Sequence, residues 1–136
     1  MAGSMPSRRG LIAGVLGAAL YPAGSAQPAA AAAAETGHAA LAALCAGLPA
    51  AGTIGRACLR ALPADVATPE RLARLILADL PAVSGRASAR VLARAIRERS
   101  RADFRDGRIV SVDGWMLSLA EARLYALATL LPRRGA

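Results

Sequence analysis

The chain has 136 residues and a formal net charge of +8 at pH 7, and its 17 strongly basic residues are all arginine. Hydrophobic residues make up 55% of it, but alanine supplies many of these and aromatic residues only 3%. This length is enough for one small domain, and a composition rich in alanine, leucine, arginine and glutamate favours helices over strands.

The N-terminus has the features of an export signal. Arg8 and Arg9 precede an apolar run over residues 11–20. This run is too short to cross a bilayer, because a spanning helix needs about 20 residues. Pro22 follows, and small residues continue to Ala26. A basic start, a short apolar middle and a small-residue exit are typical of a secretory leader, and we place cleavage after Ala26.

The sequence SRRGLI at residues 7–12 resembles the twin-arginine signal, in which Ser or Thr precedes two arginines, one variable residue and two apolar residues. The resemblance implies that the twin-arginine translocase recognises Arg8 and Arg9 and exports the folded chain to the periplasm. Residues 1–26 are then a signal peptide. Cleavage within the alanine tract 29–34, an uncleaved membrane anchor and a buried N-terminal helix stay open as alternatives.

The basic net charge also indicates the chemical class of the binding partner. A strongly basic chain ordinarily suggests nucleic acid. Export argues against nucleic acid, because the compartment beyond the inner membrane holds no genome. Acidic protein surfaces and the anionic headgroups of a membrane surface remain as partners.

After the signal, the sequence predicts a linker and one helical domain. Residues 27–36 form an alanine-rich linker, and residues 37–132 form the domain. Apolar side chains at helical spacing predict helices over residues 37–48 and 53–62, and the segment PAAG at residues 49–52 separates them.

A third helix starts at Thr68, which can cap it, with Pro69 at the first helical position, and Pro81 ends it. Residues 86–105 predict a fourth helix on which six arginines fall within an arc of about 100°. These are Arg86, Arg90, Arg94, Arg97, Arg101 and Arg105. The arginine face is either solvated or a docking stripe for an acidic partner or anionic lipid.

Two Asp-Gly pairs frame the one β-like run of the chain. The segment RIVSV at residues 108–112 lies between them and predicts a short ribbon or an extended arm. Ser118 and Glu121 then have the spacing of a capping box for a last helix that runs to about residue 131. The predicted fold is therefore all-α: a small bundle of four to five helices with a short extended or β-ribbon insertion before the last helix.

Cys45 and Cys58 lie symmetrically about the break at residues 49–52. An antiparallel hairpin of the two flanking helices would bring the thiols together, and an oxidising compartment then predicts a disulfide. Such a bond would stabilise the fold by roughly 3 kcal/mol in the chain-entropy model. Two reduced core cysteines are the alternative. His38 is a third conceivable metal ligand, but without a tight Cys-x-x-Cys pair we predict no metal site.

No group of residues predicts catalysis. The single histidine makes a Ser–His–acid set implausible, and the sequence has neither a glycine-rich phosphate loop nor a haem-attachment motif. Asp103, Asp106, Asp113 and Glu121 each have a simpler explanation as turn or cap residues. We therefore predict no enzyme activity and no cofactor.

The aromatic residues beyond the signal are confined to the C-terminal part of the chain. They either hold the ribbon on the helices or include a partner anchor, Trp115, displayed after an Asp-Gly turn. Tryptophan, tyrosine and arginine dominate the energetics of interfaces. The predicted partner-binding residues are Trp115, Tyr125, Phe104, Arg94, Arg97 and Arg101.

The leader, the small size and the helical character together resemble the short twin-arginine-leader small subunits that accompany exported oxidoreductases, such as membrane-associated flavin-dependent sugar and alcohol dehydrogenases. The resemblance implies a non-catalytic accessory subunit, or an escort or maturation protein, that binds a larger enzyme and is exported with it. The main alternative is a free periplasmic binding or structural protein whose arginine face contacts anionic membrane lipid. An enzyme in its own right is a third hypothesis.

Overall fold

The computed structural model describes residues 28–48, 51–80 and 87–132, so the predicted signal peptide lies outside the described residues. This part of the chain forms five helices and one two-stranded antiparallel sheet. The elements are α1 (Pro28–Ala46), α2 (Ala51–Ala61), α3 (Pro69–Ala78), α4 (Ala89–Arg105), β1 (Ile109–Val112), β2 (Trp115–Ser118) and α5 (Leu119–Leu130). The predicted small helical bundle with a β-ribbon before its last helix is confirmed.

Helix α1 includes most of the segment that the sequence assigns to a linker. The sequence predicts an alanine-rich linker over residues 27–36, whereas α1 begins at Pro28 and continues through this segment. Alanine has the highest helix propensity of all residues, and proline is tolerated in a first turn because its missing N–H would have no helical partner there. The alanine tract therefore lengthens the first helix.

Helix α5 forms the centre of the domain. It contacts the four other helices and both strands. Its buried side chains are Ala120, Ala122, Leu124, Ala126, Leu127 and Ala128. A helix that is apolar on nearly all sides is a core helix, and the small alanines allow neighbouring helices to approach its backbone closely.

The closest approach to α5 is made by α2 at Gly55. A Cβ at this position would overlap the carbonyl oxygen of Tyr125 and the hydroxyl of Thr129, and it would lie 3.0 Å from Thr129 Cβ. The Thr129 hydroxyl is itself held in place, because it donates a hydrogen bond to the Tyr125 carbonyl oxygen at 2.9 Å. Glycine is therefore required here by the space between two helices.

The predicted disulfide between Cys45 and Cys58 is not formed, and both residues are free, buried thiols in the structure. The prediction required α1 and α2 to pack as an antiparallel hairpin. Instead, α1 packs mainly along α4, and α2 packs mainly along α5. The two cysteines serve as apolar side chains of the core. Burial raises the pKa of each thiol from 9.0 to about 11.

The β-hairpin is closed by a tight two-residue turn. Val112 pairs with Trp115, so Asp113 and Gly114 form the turn between them. Both turn residues have positive φ, 46° for Asp113 and 84° for Gly114. This combination is typical of the type I′ turn, whose twist matches that of two antiparallel strands. The sequence Asp-Gly thus explains the sharp reversal before β2.

Candidate functional site

A buried carboxylate joins α4 to the start of α5. Asp103 is completely buried, and its Oδ2 accepts a hydrogen bond from the backbone N–H of Ala120 at 2.9 Å. Its Oδ1 accepts from Arg99 Nε at 2.8 Å and from Arg99 Nη2 at 2.6 Å. Arg108 Nη1 lies 3.5 Å from the same oxygen. The hydrogen bond to Asp103 is the main reason why the pKa of Arg99 is raised.

The other backbone donors of the first turn of α5 are also paired. Leu119 N–H donates to the Arg108 carbonyl oxygen at 2.9 Å, and Glu121 N–H donates to Ser118 Oγ at 3.1 Å. The Glu121 carboxylate accepts from Ser118 N–H at 3.0 Å, which completes the predicted capping box. Together with Asp103, these bonds satisfy the donors that a helix start leaves without internal partners.

A second carboxylate extends this network to α3. Asp79, which follows α3, accepts hydrogen bonds from Arg108 Nη2 at 2.9 Å and from Arg123 Nη1 at 2.7 Å. Alternating charges from Arg99 to Asp103, Arg108, Asp79 and Arg123 therefore connect α4, the start of the hairpin, α3 and α5. The network fixes the position of the hairpin relative to the helices.

Sequence reasoning missed this network because it treats Asp103 as a turn or cap residue. A signal was present in the helical spacing. Asp103 shares the apolar face of α4 with Leu92 and Ile96, and an acidic side chain on an apolar face needs a partner when it is buried. Arg99, four residues earlier on α4, is that partner.

The hairpin displays two large apolar side chains to solvent. Trp115 is 69% exposed and Met116 is 64% exposed, whereas Val112 and Ser118 at the two ends of the hairpin are buried. At the tip, Arg60 of α2 donates a hydrogen bond to Asp113 at 3.2 Å. Consecutive residues of a strand point to opposite faces, so we refer to the exposed face of the hairpin that carries Trp115 as the hairpin surface. Trp115 thus has the exposure that a partner anchor needs, which a residue pinned into the core would lack.

A groove of about 410 Å³ lies between α4, α5 and the C-terminal end of α1. Its base is apolar, and exposed arginines stand along the α4 edge. The lining residues are Leu44, Leu48, Ala93, Ile96, Arg97, Ser100, Arg101, Phe104, Glu121, Leu124 and Tyr125. Phe104 is 45% exposed, so its ring adds accessible apolar surface to the groove.

The groove brings together four of the six predicted partner-binding residues: Arg97, Arg101, Phe104 and Tyr125. Arg94 is not a lining residue, and its Nε bonds to Glu98 on the same helix at 3.1 Å. Trp115 is not a lining residue either, because it belongs to the hairpin surface. The single region predicted from the sequence is therefore two surfaces.

The two arginines at the groove differ from several others in the chain. Within the described ranges, Arg97 and Arg101 form no ion pair, whereas Arg94, Arg99 and Arg108 each bond to a carboxylate. Both side chains are exposed, and they lie one helical turn apart on α4. They leave a positive edge beside the apolar base of the groove.

The residues weighed as metal ligands do not form a site. His38 is exposed on α1, whereas Cys45 and Cys58 are buried in the core. In residues 28–48, 51–80 and 87–132 there is no group of three or more histidine, cysteine or acidic side chains that could hold a metal ion.

None of the described helices is both long enough and apolar enough to span a bilayer. Comparison of the chain with protein-family models, with curated proteins and with solved structures gave no match.

Proposed function

We propose that this protein is a non-catalytic accessory subunit, or an escort or maturation protein, for a larger exported oxidoreductase, and that it binds this enzyme through its C-terminal region. The observation that carries the proposal is the exposure of Trp115 at the hairpin surface. The enzyme class rests on the resemblance of the leader, the size and the helical character to small subunits of exported oxidoreductases.

The exposure of Trp115 favours a binding role. A tryptophan side chain buries 150–250 Å² when it is covered, which makes it a strong anchor at an interface. The hairpin that carries it is preorganised by the Asp113–Gly114 turn, by the Arg60–Asp113 pair and by its buried ends. Binding to a rigid hairpin loses little conformational entropy, so more of the contact energy contributes to affinity.

The proposed route is export to the periplasm by the twin-arginine translocase. Transport of a folded chain suits a protein that binds its partner in the cytoplasm before export. Changing Arg8 and Arg9 to lysine should hold the protein in the cytoplasm, because the translocase recognises the paired guanidinium groups. Fractionation of cells followed by immunoblotting measures this, and unchanged export would remove the folded-cargo argument.

The test of the partner is capture from periplasmic extract by the mature protein, with identification of what is bound. We expect an oxidoreductase catalytic subunit. Trp115→Ala should weaken its binding by about 30-fold or more, the equivalent of a hot-spot contribution of about 2 kcal/mol. The melting temperature should change by no more than a few degrees, because an exposed side chain contributes little to folding.

Val91→Ala is the matched control. Val91 is 50% exposed on α4, so its truncation also removes an exposed apolar side chain, but away from the hairpin surface. This variant should bind like the unmodified protein. If Trp115→Ala lowers the melting temperature strongly and leaves affinity unchanged, Trp115 is a structural residue and the proposed function loses its support.

Contact with anionic membrane lipid is the second candidate. It is favoured by one exposed face of α4, which carries Arg90, Arg94, Arg97, Arg101 and Arg105. Arg86, the sixth arginine of the predicted stripe, lies outside the described residues. Flotation with phosphatidylglycerol vesicles, compared with phosphatidylcholine vesicles, tests it. Binding that is specific for the anionic lipid, lost at high salt and insensitive to Trp115→Ala would favour this function over the accessory role.

A further inference from the structure

The groove follows one face of α4 over three helical turns. The α4 residues that line it are Ala93, Ile96, Arg97, Ser100, Arg101 and Phe104. Their spacing is that of a single helix face, and the rise of 1.5 Å per residue gives the face a length of about 16 Å. The end of α1 and one turn of α5 form the opposite side.

The shape of the groove suits a helix better than a small molecule. It is partly open to solvent, whereas small-ligand sites typically enclose about 70–90% of the ligand surface. Its base offers Leu44, Leu48 and Leu124, which are buried or half-buried. An amphipathic helix inserts apolar side chains spaced three and four residues apart into such a groove.

The arginines of the groove determine which charge the flank of that helix should carry. Arg97 and Arg101 stand on the α4 edge with no ion-pair partner in the part of the chain that the structure describes. The acidic residue of the groove, Glu121, already accepts the hydrogen bond from Ser118 N–H. Two guanidinium groups one turn apart therefore match two carboxylates one turn apart, and the net charge of +8 favours an acidic partner at long range.

We infer that the groove binds an acidic amphipathic helix, with apolar side chains on the base and two carboxylates paired with Arg97 and Arg101. The inference rests on the proposed function only for which protein supplies the helix, namely the larger oxidoreductase. The chemistry of the site follows from the groove itself. The groove would then be a second contact region of the accessory subunit, separate from the hairpin surface.

The experiment uses the full-length protein and three fluorescein-labelled helical peptides of about four turns, read by fluorescence anisotropy. The first has leucines at helical spacing and glutamates one turn apart on one flank, and the second has lysines in place of those glutamates. The third has the composition of the first, but its leucines are out of register. We expect only the first to bind well, with the second weaker by about tenfold or more because two ion pairs become repulsive.

Paired charge reversals locate the binding. Arg97→Glu with Arg101→Glu should invert the preference, so that the lysine peptide binds better than the glutamate peptide. Arg71→Glu with Arg74→Glu is the matched control, because these arginines are exposed on α3, line no part of the groove and give the same change of net charge. The control should keep the original preference. If the first pair lowers the melting temperature, the Arg97→Gln and Arg101→Gln pair replaces it and should abolish the preference.

Three results would overturn the inference: equal binding of the glutamate and lysine peptides, equal effects of the two paired reversals, or binding of decanoate or of phosphatidylglycerol vesicles without binding of the peptide. If the peptide preference fails while capture of the enzyme still depends on Trp115, the groove assignment fails and the proposed function stands. If the peptide preference holds and no oxidoreductase is captured, the proposed function fails and the groove assignment stands.

Discussion

Replacing Asp103 by asparagine removes a negative charge from the centre of the domain while nearly preserving the shape of the side chain. In the structure this carboxylate is fully buried and receives two hydrogen bonds from Arg99 and one from Ala120 N–H. Removing one partner of a buried ion pair costs about 3–5 kcal/mol. Arg99 and Arg108 keep 23% and 34% of their side chains exposed, so both can recover some hydration. We therefore expect a loss near the lower end, about 3 kcal/mol.

Asp103→Ala should cost more, about 4–5 kcal/mol, because it also removes the acceptor for Ala120 N–H at the start of α5. Domains of this size have total stabilities of about 5–15 kcal/mol, so either variant loses a large share. Urea denaturation followed by circular dichroism gives the free energy of unfolding. An unchanged slope with denaturant concentration shows that the effect is on stability and not on the extent of unfolding.

Asp106→Asn is the control for Asp103. Asp106 lies 3.7 Å from Arg99 and is 59% exposed, so its loss should cost less than about 1 kcal/mol. If the variants of Asp103 and Asp106 have equal effects, the buried carboxylate does not organise the start of α5.

Two further predictions concern packing and the thiols. Gly55→Ala should lower the free energy of unfolding by about 1–3 kcal/mol, because the added Cβ overlaps α5. Gly37→Ala should raise it by up to about 1 kcal/mol, because the added Cβ meets Leu77 at an ordinary contact distance of 3.5 Å and alanine favours the helix. Thermal melting should show these opposite signs, and two destabilised variants would contradict the interpretation. Iodoacetamide should label Cys45 and Cys58 slowly in the folded protein and fully after denaturation without reductant, as measured by mass spectrometry, because the thiolate is the reactive form and burial raises each pKa to about 11. Label that enters only after reduction would contradict free thiols. The stability due to these buried neutral thiols is present below the unfolded pKa of 9.0 and is lost as the pH rises to about 11. The urea midpoint should therefore fall over that pH range.

The features that the sequence predicted best are those determined by neighbouring residues. Thr68 caps α3 by accepting the N–H of Arg71 at 3.3 Å, with a proline in the first turn. Ser118 and Glu121 form the capping box of α5. In each of these a side-chain oxygen accepts a hydrogen bond from a backbone N–H three residues away, so the local sequence is sufficient to predict it.

The pairing of helices was not predictable in the same way. The disulfide hypothesis assumed that consecutive helices pack together, which is the usual tendency. Here α2 packs mainly on α5, which is distant in sequence, because Gly55 and the alanines of α5 permit a close approach. Nothing in the segment around Cys58 indicates which helix will cover it.

The sequence predicts only part of the candidate site, because helical spacing is visible in the local sequence and helix packing is not. Arg97, Arg101 and Phe104 share one face of α4, and helical spacing alone places them together. Tyr125 joins them because α5 crosses beside α4, which only the tertiary structure reveals. Trp115 lies apart, since it is the first residue of β2, next to the turn, whereas the groove residue Glu121 bonds to Ser118 at the other end of that strand.

The two surfaces have a common structural dependence on the first turn of α5. This turn carries Glu121 at the groove, and its Leu119 N–H closes the base of the hairpin through the Arg108 carbonyl oxygen. The Asp103 carboxylate holds the same turn to α4, which supplies the arginine edge of the groove. The buried charges therefore set the spacing between the groove and the hairpin surface. A partner that contacts both surfaces would meet a fixed geometry. Because folding has already ordered both surfaces, binding would lose little further conformational entropy.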